Sequence, residues 1–253
     1  MIHSMWQIDH RSNFNKEYIL PKGVVEIIFN FSDGAPIVAQ LQNTVHHLPH
    51  CFINGFNTTP IEIQLPGQQV FFGVVFQPLA IKKIFGCHAG EFADTTVDLT
   101  LIDASLQSLW HQLAAQDNFD KRVVVFLNWI NDKCIDWLPQ EQLINKFLYA
   151  DNQHELSVQQ LANAMCYSPR HLARKIVEAT GMNTEEILLY KKYLHAVHLI
   201  HHTNLSMTAI AYQSQFSDQS HFIRSFKTYS KITPGEYKRN KSSVKGHLYK
   251  DVR

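Results

Sequence analysis

The chain has 253 residues, 45% of them hydrophobic, so it can bury the core of one large or two ordinary domains. Its four cysteines form no CxxC pair, which argues against a disulfide framework. No apolar run approaches the ~20 residues of a bilayer span, which argues against a membrane partner. Because the sequence also has no signal-peptide pattern, we expect a cytoplasmic protein. The net charge of +1 hides an asymmetry: residues 1–154 hold 9 basic and 15 acidic residues, whereas residues 155–241 hold 11 and 6, so only the second part is expected to meet phosphate.

Residues 1–135 predict a domain of mixed β and α structure with a regulatory, sensor or dimerisation role. β-Branched and aromatic residues between turn-forming clusters predict strands at 24–31, 51–56, 61–65 and 70–76. Apolar residues at spacings of three and four predict helices at 79–86, 104–116 and 119–134. The link at 135–140 is short and contains no flexible tether, so the two modules are expected to pack together.

Residues 141–241 predict an all-helical domain, and residues 242–253 predict a flexible basic tail. The fold class is therefore an α+β N-terminal domain joined to an all-α C-terminal domain with two helix-turn-helix units. One-sided apolar patterns predict helices at 140–150 and 184–202. Serine or aspartate can cap the free N–H groups of a helix start. Caps are expected at Ser157, Ser168, Ser206, and Ser217 or Asp218.

One sequence pattern occurs twice in this helical domain. Ser-x-x-x-aliphatic-Ala starts at Ser157 and again at Ser206, and His-apolar-x-Arg starts at His171 and again at His221. The separations are 49 and 50 residues, so the second turn is one residue longer, and the extra residue is expected in the turn that contains Gln215. Each copy is typical of a short helix, a tight turn and a second helix. A plain helical bundle is the alternative, but caps, core positions and surface Arg and His all repeat together.

The second helix of a helix-turn-helix unit lies in the major groove of DNA, and its first residues meet base edges. Candidate DNA-binding residues are therefore Ser168, Arg170, His171, Arg174, Lys175, Asp218, Gln219, Ser220, His221, Arg224 and Lys227. Arginine can bind guanine and glutamine can bind adenine, whereas Lys175 and Lys227 are expected on phosphate. The helix between the units would span about 28 Å, near the ~34 Å between successive groove turns. We expect unequal half-sites, the first more basic and the second more polar.

These residues resemble the DNA-binding domain of the AraC/XylS family of bacterial transcription regulators. The most specific stretch is Phe216-Ser217-Asp218-Gln219-Ser220-His221-Phe222, followed by Thr233-Pro234-Gly235. The resemblance implies a regulator, not an enzyme, that binds double-stranded DNA. It implies an N-terminal domain that senses a small molecule or forms a homodimer, and RNA polymerase as the partner of an activator. Residues 24–31, 53–55 and 73–78 resemble a front domain of some AraC-type regulators.

Three positions depart from the family pattern. Gln215 stands where glycine is usual, and glutamine fits this turn without strain if its φ stays negative. Thr184 stands where proline is common, and Lys192-Tyr193 replaces an Arg-aliphatic pair.

Other chemistry has weaker support. No phosphate-cradling loop, GxSxG or HExxH pattern occurs, so neither a cofactor nor catalysis is expected. The histidines at 46–50 and 195–202 have spacings that could hold a metal, but a solvated loop and helix face are the favoured interpretation and no metal site is expected. A second class stays open, in which the N-terminal part is a small enzyme or a thiol-based sensor or repair module. It would need a reactive Cys51 or Cys87.

Overall fold

A computed structural model describes residues 1–11, 16–33, 37–42, 44–65, 67–133, 136–149 and 158–250. It divides into a β-rich N-terminal domain and a helical C-terminal domain, and the last strand returns to the N-terminal domain. The strands are β1 Ile2–Arg11, β2 Lys16–Ile19, β3 Val25–Asn30, β4 Val38–Leu41, β5 Thr44–His47, β6 Cys51–Asn54, β7 Ile61–Gln64, β8 Gln68–Phe76, β9 Thr96–Asp98 and β10 His247–Lys250.

The strands form two five-stranded antiparallel sheets. The first sheet has the order β1-β8-β3-β6-β9, and the second has the order β10-β2-β7-β4-β5. The sequence prediction of strands in β3, β6, β7 and β8 is confirmed, as is the α+β class. It missed the remaining strands, several of which have only four residues or fewer.

Strand β3 separates two apolar layers. Val25, Ile27 and Phe29 are fully buried in the layer that the helices cover. Ile28 points the other way and packs in the cluster that lies between the two sheets. Because successive side chains alternate across a strand, this run of apolar residues serves both layers at once.

Three helices cover the outer face of the first sheet: α1 Pro78–Phe85, α2 Ser105–Ala114 and α3 Phe119–Asn131. Phe126 of α3 is fully buried and contacts the rings of Phe29 and Phe72. Arg122 is 95% buried as well, and its guanidinium donates to the backbone oxygen atoms of Leu113 and Gln116. The predicted helices of this region are confirmed, with ends shifted by a few residues.

The C-terminal domain is helical: α4 Pro139–Tyr149, α5 Val158–Ala164, α6 Pro169–Thr180, α7 Thr184–His202, α8 Met207–Gln213, α9 Gln219–Ser230 and α10 Pro234–Asn240. Helix α7 is central, because its Tyr190 and Tyr193 are fully buried and Tyr193 meets the ring of Phe226 at 5.3 Å. The predicted cap Ser157 lies outside the described residues. Among those described, no helix has the length and apolar character of a bilayer span.

The two modules pack closely together, as the short link predicted. The hydroxyl of Tyr190 donates to the backbone oxygen of Asn57 at 2.8 Å and accepts from the N–H of Gly23 at 3.0 Å. Gly90 lies in a 3-10 turn, Ala89–Phe92, against the end of α6. A Cβ at Gly90 would lie 2.3 Å from the backbone oxygen of Val177, so only glycine allows this approach.

The prediction of a flexible tail is wrong for residues 242–250, which we call the strap. Its end forms β10, which pairs with β2 at the edge of the second sheet. Gly246 accepts at its oxygen from the N–H of Leu20 at 2.8 Å and donates its own N–H to the hydroxyl of Tyr237 at 2.9 Å. The basic composition of this segment suggested a solvated tail, but strand pairing satisfies its backbone groups.

Candidate nucleic-acid interface and effector cavity

Helices α6 and α9 begin with the same kind of cap. The hydroxyl of Ser168 accepts from the N–H of His171 at 3.2 Å, and the carboxylate of Asp218 accepts from the N–H of His221 at 2.7 Å. This hydrogen bond holds the pKa of Asp218 below its usual range. Both residues were candidates for DNA contact; the geometry gives each a first role as an N-cap.

The two helices also end alike. The hydroxyl of Thr180 donates to the backbone oxygen of Ile176 at 2.8 Å, and that of Ser230 donates to Phe226 at 2.7 Å. The next residues, Gly181 and Lys231, both have left-handed backbone, with φ of 76° and 59°. The repeat thus extends further than its sequence signature indicated.

The following helices continue the repeat. Asn183 and Thr233 begin α7 and α10, and each forms a reciprocal capping box with a glutamate three residues later. The offset between these caps is again 50 residues. Equal caps at both ends give α6 and α9 equivalent lengths and settings within the domain.

The turn before α6 and the turn before α9 each contain one residue in the left-handed region. These residues are Cys166, with φ of 54°, and Gln215, with φ of 56°. Gln215 therefore does not meet the condition of a negative φ, and the turn carries backbone strain. The extra residue lies in the turn that contains Gln215, as predicted, because Cys166 and Gln215 are 49 residues apart and the caps Ser168 and Asp218 are 50 apart. The longer segment lies between the left-handed residue and the cap.

Most of the predicted DNA-binding side chains are solvent-exposed on α6 and α9. The exposed set comprises Arg170, Arg174, Gln219, Ser220, Arg224 and Lys227. Arg174 and Arg224 occupy equivalent positions, 50 residues apart. The structure therefore gives both helices an exposed arginine at the same place.

The two histidines are partly buried on the turn side of their helices. His171 stacks on Tyr167 with the ring centroids 4.4 Å apart, and His221 meets Phe216 edge-on at 5.4 Å. Ser217 lies 3.0 Å from Nδ1 of His221. These rings position the start of each helix.

Lys175 is half-buried near the interface between the modules. Its Nζ lies 2.8 Å from a carboxylate oxygen of Glu178, and the same carboxylate lies 3.8 Å from Nδ1 of His88 in the N-terminal domain. The equivalent residue of α9, Ser225, is buried. Arg174 also approaches Glu178, with its Nε 3.7 Å from a carboxylate oxygen, but its side chain is 65% exposed whereas that of Lys175 is 29% exposed.

A cavity of about 450 Å³ lies between the two sheets of the N-terminal domain. Its wall is mostly apolar and includes Ile28, Phe52, Phe71, Ile61 and Ile63. Sequence reasoning missed it, since strand patterns do not reveal how far apart two sheets stand. At one end a polar row crosses the first sheet, where β3, β6 and β9 place Glu26, Asn54 and Thr96 side by side.

The thiols give the alternative function no support. Cys51 is fully buried, and burial raises the pKa of its thiol. Burial also raises the pKa of Cys87, whereas reactive cysteines have a lowered pKa. In the described part of the chain, no group of three or more His, Cys, Asp or Glu residues is placed to hold a metal ion.

Comparison with known families assigns the helical module. Residues 161–240 match the family model of a helix-turn-helix domain, and residues 1–98 match that of a domain of unknown function, DUF6597. The C-terminal module is an AraC-type helix-turn-helix domain. The AraC/XylS resemblance of the sequence is thereby confirmed.

Curated proteins similar to this AraC-type domain include transcriptional regulators. Over 89 residues the chain is 30% identical to the HTH-type transcriptional activator RhaS of Enterobacter sp. (strain 638). This match covers 35% of this chain and 32% of RhaS. Over 132 residues the chain is 24% identical to the uncharacterized HTH-type transcriptional regulator YtdP of Bacillus subtilis (strain 168). This match covers 46% of this chain and 17% of YtdP. The chain thus matches no more than about a third of the length of these curated relatives.

The whole chain is similar in fold to ToxT from Vibrio cholerae O395, in a structure bound to (E)-4-(8-methylnaphthalen-1-yl)but-3-enoic acid. The TM-score is 0.52 at 14% identity, over 93% of this chain and 98% of ToxT. This similarity concerns the fold: a β-rich N-terminal domain with an AraC-type domain behind it.

Two of the places where this AraC-type domain departs from its family are in contact. The Nζ of Lys192 donates to the backbone oxygen of Gln215 at 2.8 Å. A left-handed conformation costs a non-glycine residue about 1–2 kcal/mol. A lysine on the long helix α7 therefore helps to hold a turn that glycine would adopt without strain.

Proposed function

We propose that this chain is a sequence-specific DNA-binding transcription regulator that reads two adjacent major grooves with α6 and α9. One observation carries the proposal: the two helices have matching caps at both ends and expose Arg174 and Arg224 at equivalent positions. Arginine binds guanine with two parallel hydrogen bonds, so each helix offers a base-reading group. The family match of residues 161–240 supports the same function.

The spacing of the helices supports simultaneous contact with two grooves. Helix α7 has 19 residues and connects the two units. At ~1.5 Å per residue it spans about 28 Å, which is close to the ~34 Å between successive major-groove turns on one face of DNA. A single copy of the chain can then place both reading helices on one duplex.

The two helices offer different chemistry to DNA. Helix α6 contributes Arg170 and Arg174, whereas α9 contributes Gln219, Ser220 and Arg224. The amide of Gln219 can pair with adenine. We infer two half-sites of unequal composition, with more charge-driven contact at the first.

The N-terminal domain is the proposed controlling part. Its cavity of about 450 Å³ falls within the ~300–1,000 Å³ usual for small-molecule sites. The similar fold of ToxT, with a small organic acid bound, supports a small-molecule effector. The close packing of Gly90 on α6 offers a route by which the N-terminal domain can influence a reading helix.

Binding measurements on four variants test the DNA function. Fluorescence anisotropy would compare a selected duplex with random duplex at several salt concentrations. Arg174→Ala and Arg224→Ala should each cost about 1–3 kcal/mol on the selected duplex and little on random DNA. Lys227→Ala should weaken both duplexes alike and reduce the salt slope by about 1.

Lys175→Ala is the matched control, because its ammonium pairs with Glu178. This variant should leave the salt slope unchanged. Equal affinity of the unaltered chain for selected and random duplex would refute the proposal.

A further inference from the structure

The cavity between the sheets is long and apolar in its middle. Gln69 and Val75 of β8 both line it. At ~3.3 Å per residue, the six-residue interval between them corresponds to about 20 Å along the strand. Ile28, Phe52 and Phe71 line the section between these ends. An occupant must therefore be elongated and mainly apolar.

The charged groups of the end near Val75 are already paired. Glu26 is 97% buried, accepts from Nζ of Lys22 at 2.7 Å and accepts from the indole N–H of Trp6 at 3.2 Å. Glu17 is 92% buried and lies 2.6 Å from Nδ1 of His247.

This pairing disfavours a ligand of either charge. A carboxylate placed there would approach Glu26 and Glu17, and an ammonium group would compete with Lys22 and His247 for the same oxygen atoms. Burying a charge without a partner is costly. Lys245, the remaining cation on the wall, is exposed to solvent.

Neutral amide atoms remain unsatisfied instead. Oδ1 of Asn57 and Nε2 of Gln69 are buried and have no hydrogen-bond partner within the described residues. Both residues line the cavity, Asn57 just beyond β6 and Gln69 at the opposite end. A buried amide gains a hydrogen bond from an uncharged polar group without any charge being displaced.

The strap supplies part of the wall at the Asn57 end. Val244, Lys245 and His247 line the cavity although they follow the DNA-binding module in the chain. The hydroxyl of Tyr237 in α10 holds Gly246 between them. A polar head group at this end therefore touches residues from both modules.

Resting on the sensor role proposed above, we propose that the cavity binds an uncharged, elongated amphiphile. Its hydroxyl or amide head lies between Glu26, Asn57 and the strap, and its apolar chain extends toward Gln69. Bound in this way, the ligand holds the strap against the second sheet and so changes how firmly the C-terminal module is docked.

Isothermal titration of the full chain with four ten-carbon ligands tests the head group: decanol, decanamide, decanoate and decylammonium. The alcohol and the amide should bind at least tenfold more tightly than the acid and the amine. Glu26→Gln removes one carboxylate and leaves Lys22 unpaired, so it should shift the preference at least tenfold toward decanoate. Acid or amine binding as tightly as the alcohol, or no binding of any of the four, would overturn the proposal.

Hydrogen exchange tests the place of the head group. Decanol should slow amide exchange at residues 246–250, whereas residues 105–114 of α2, none of which lines the cavity, serve as an internal control. Unchanged exchange in the strap with ligand bound would refute its role as a wall. The DNA-binding measurements are independent of these ligands, so failure here is distinguishable from failure of the proposed DNA function.

Discussion

Replacing Tyr190 by phenylalanine should weaken the contact between the two modules. The hydroxyl of Tyr190 is fully buried and bridges the backbone oxygen of Asn57 and the N–H of Gly23, at 2.8 and 3.0 Å. Phenylalanine keeps the ring and its packing but leaves both backbone groups without this partner. Each unsatisfied buried group costs about 1–3 kcal/mol, so the loss of two partners should lower the free energy of unfolding by about 2–6 kcal/mol.

Tyr193→Phe is the matched control on the same helix. Tyr193 is also fully buried, but within the described residues its hydroxyl has no hydrogen-bond partner. Removing that hydroxyl therefore orphans no partner group and relieves an unsatisfied one. The variant should be neutral or slightly more stable.

Urea denaturation followed by far-ultraviolet circular dichroism measures both effects. With an m value of about 3 kcal/mol per molar urea, Tyr190→Phe should lower the transition midpoint by about 1–2 M. Tyr193→Phe should leave the midpoint within experimental error or raise it. Equal loss of stability in both variants would show that the hydroxyl bridge does not contribute as reasoned.

Three further predictions follow from local geometry. Gln215→Gly removes the cost of a left-handed backbone at φ of 56°. It should stabilise the C-terminal module by up to about 1 kcal/mol and raise its melting temperature by about 2–4 °C. A lower melting temperature would contradict this prediction. Gly90→Ala brings a Cβ to within 2.3 Å of the backbone oxygen of Val177, whereas Gly67→Ala meets nothing within 4 Å, so only the first should lower the melting temperature. At pH 8 a thiol reagent should modify exposed Cys166 quickly and Cys51 only on unfolding, because Cys51 is buried and the pKa of its thiol is raised. Rapid reaction of Cys51 in the folded protein would instead support the thiol-sensor alternative.

The helical module could be predicted from sequence because its signals are local. Ser168 and Ser206 act as caps as the sequence indicated. A side chain whose position depends on the other module has no such local signal. Lys175 has the spacing of a surface residue, but Glu178 and His88 draw it to the interface.

The N-terminal domain could be predicted only in outline. Apolar runs identify β3 and β8, but which strands share a sheet depends on pairings between residues far apart in sequence. The strap is the clearest case, since β10 pairs with β2 across about 230 residues. Neither the cavity nor the second sheet's edge has a local signature, and so both came from the structure alone.

Selection of bound sequences from random duplex DNA tests the central claim most directly. The full chain should enrich a site with two half-sites whose centres lie one helical turn apart, about 10 base pairs. Repeating the selection with Arg174→Ala should erase the preference in one half-site, and Arg224→Ala should erase it in the other. Enrichment of one undivided block, or loss of the same bases in both variants, would contradict the account of two reading helices.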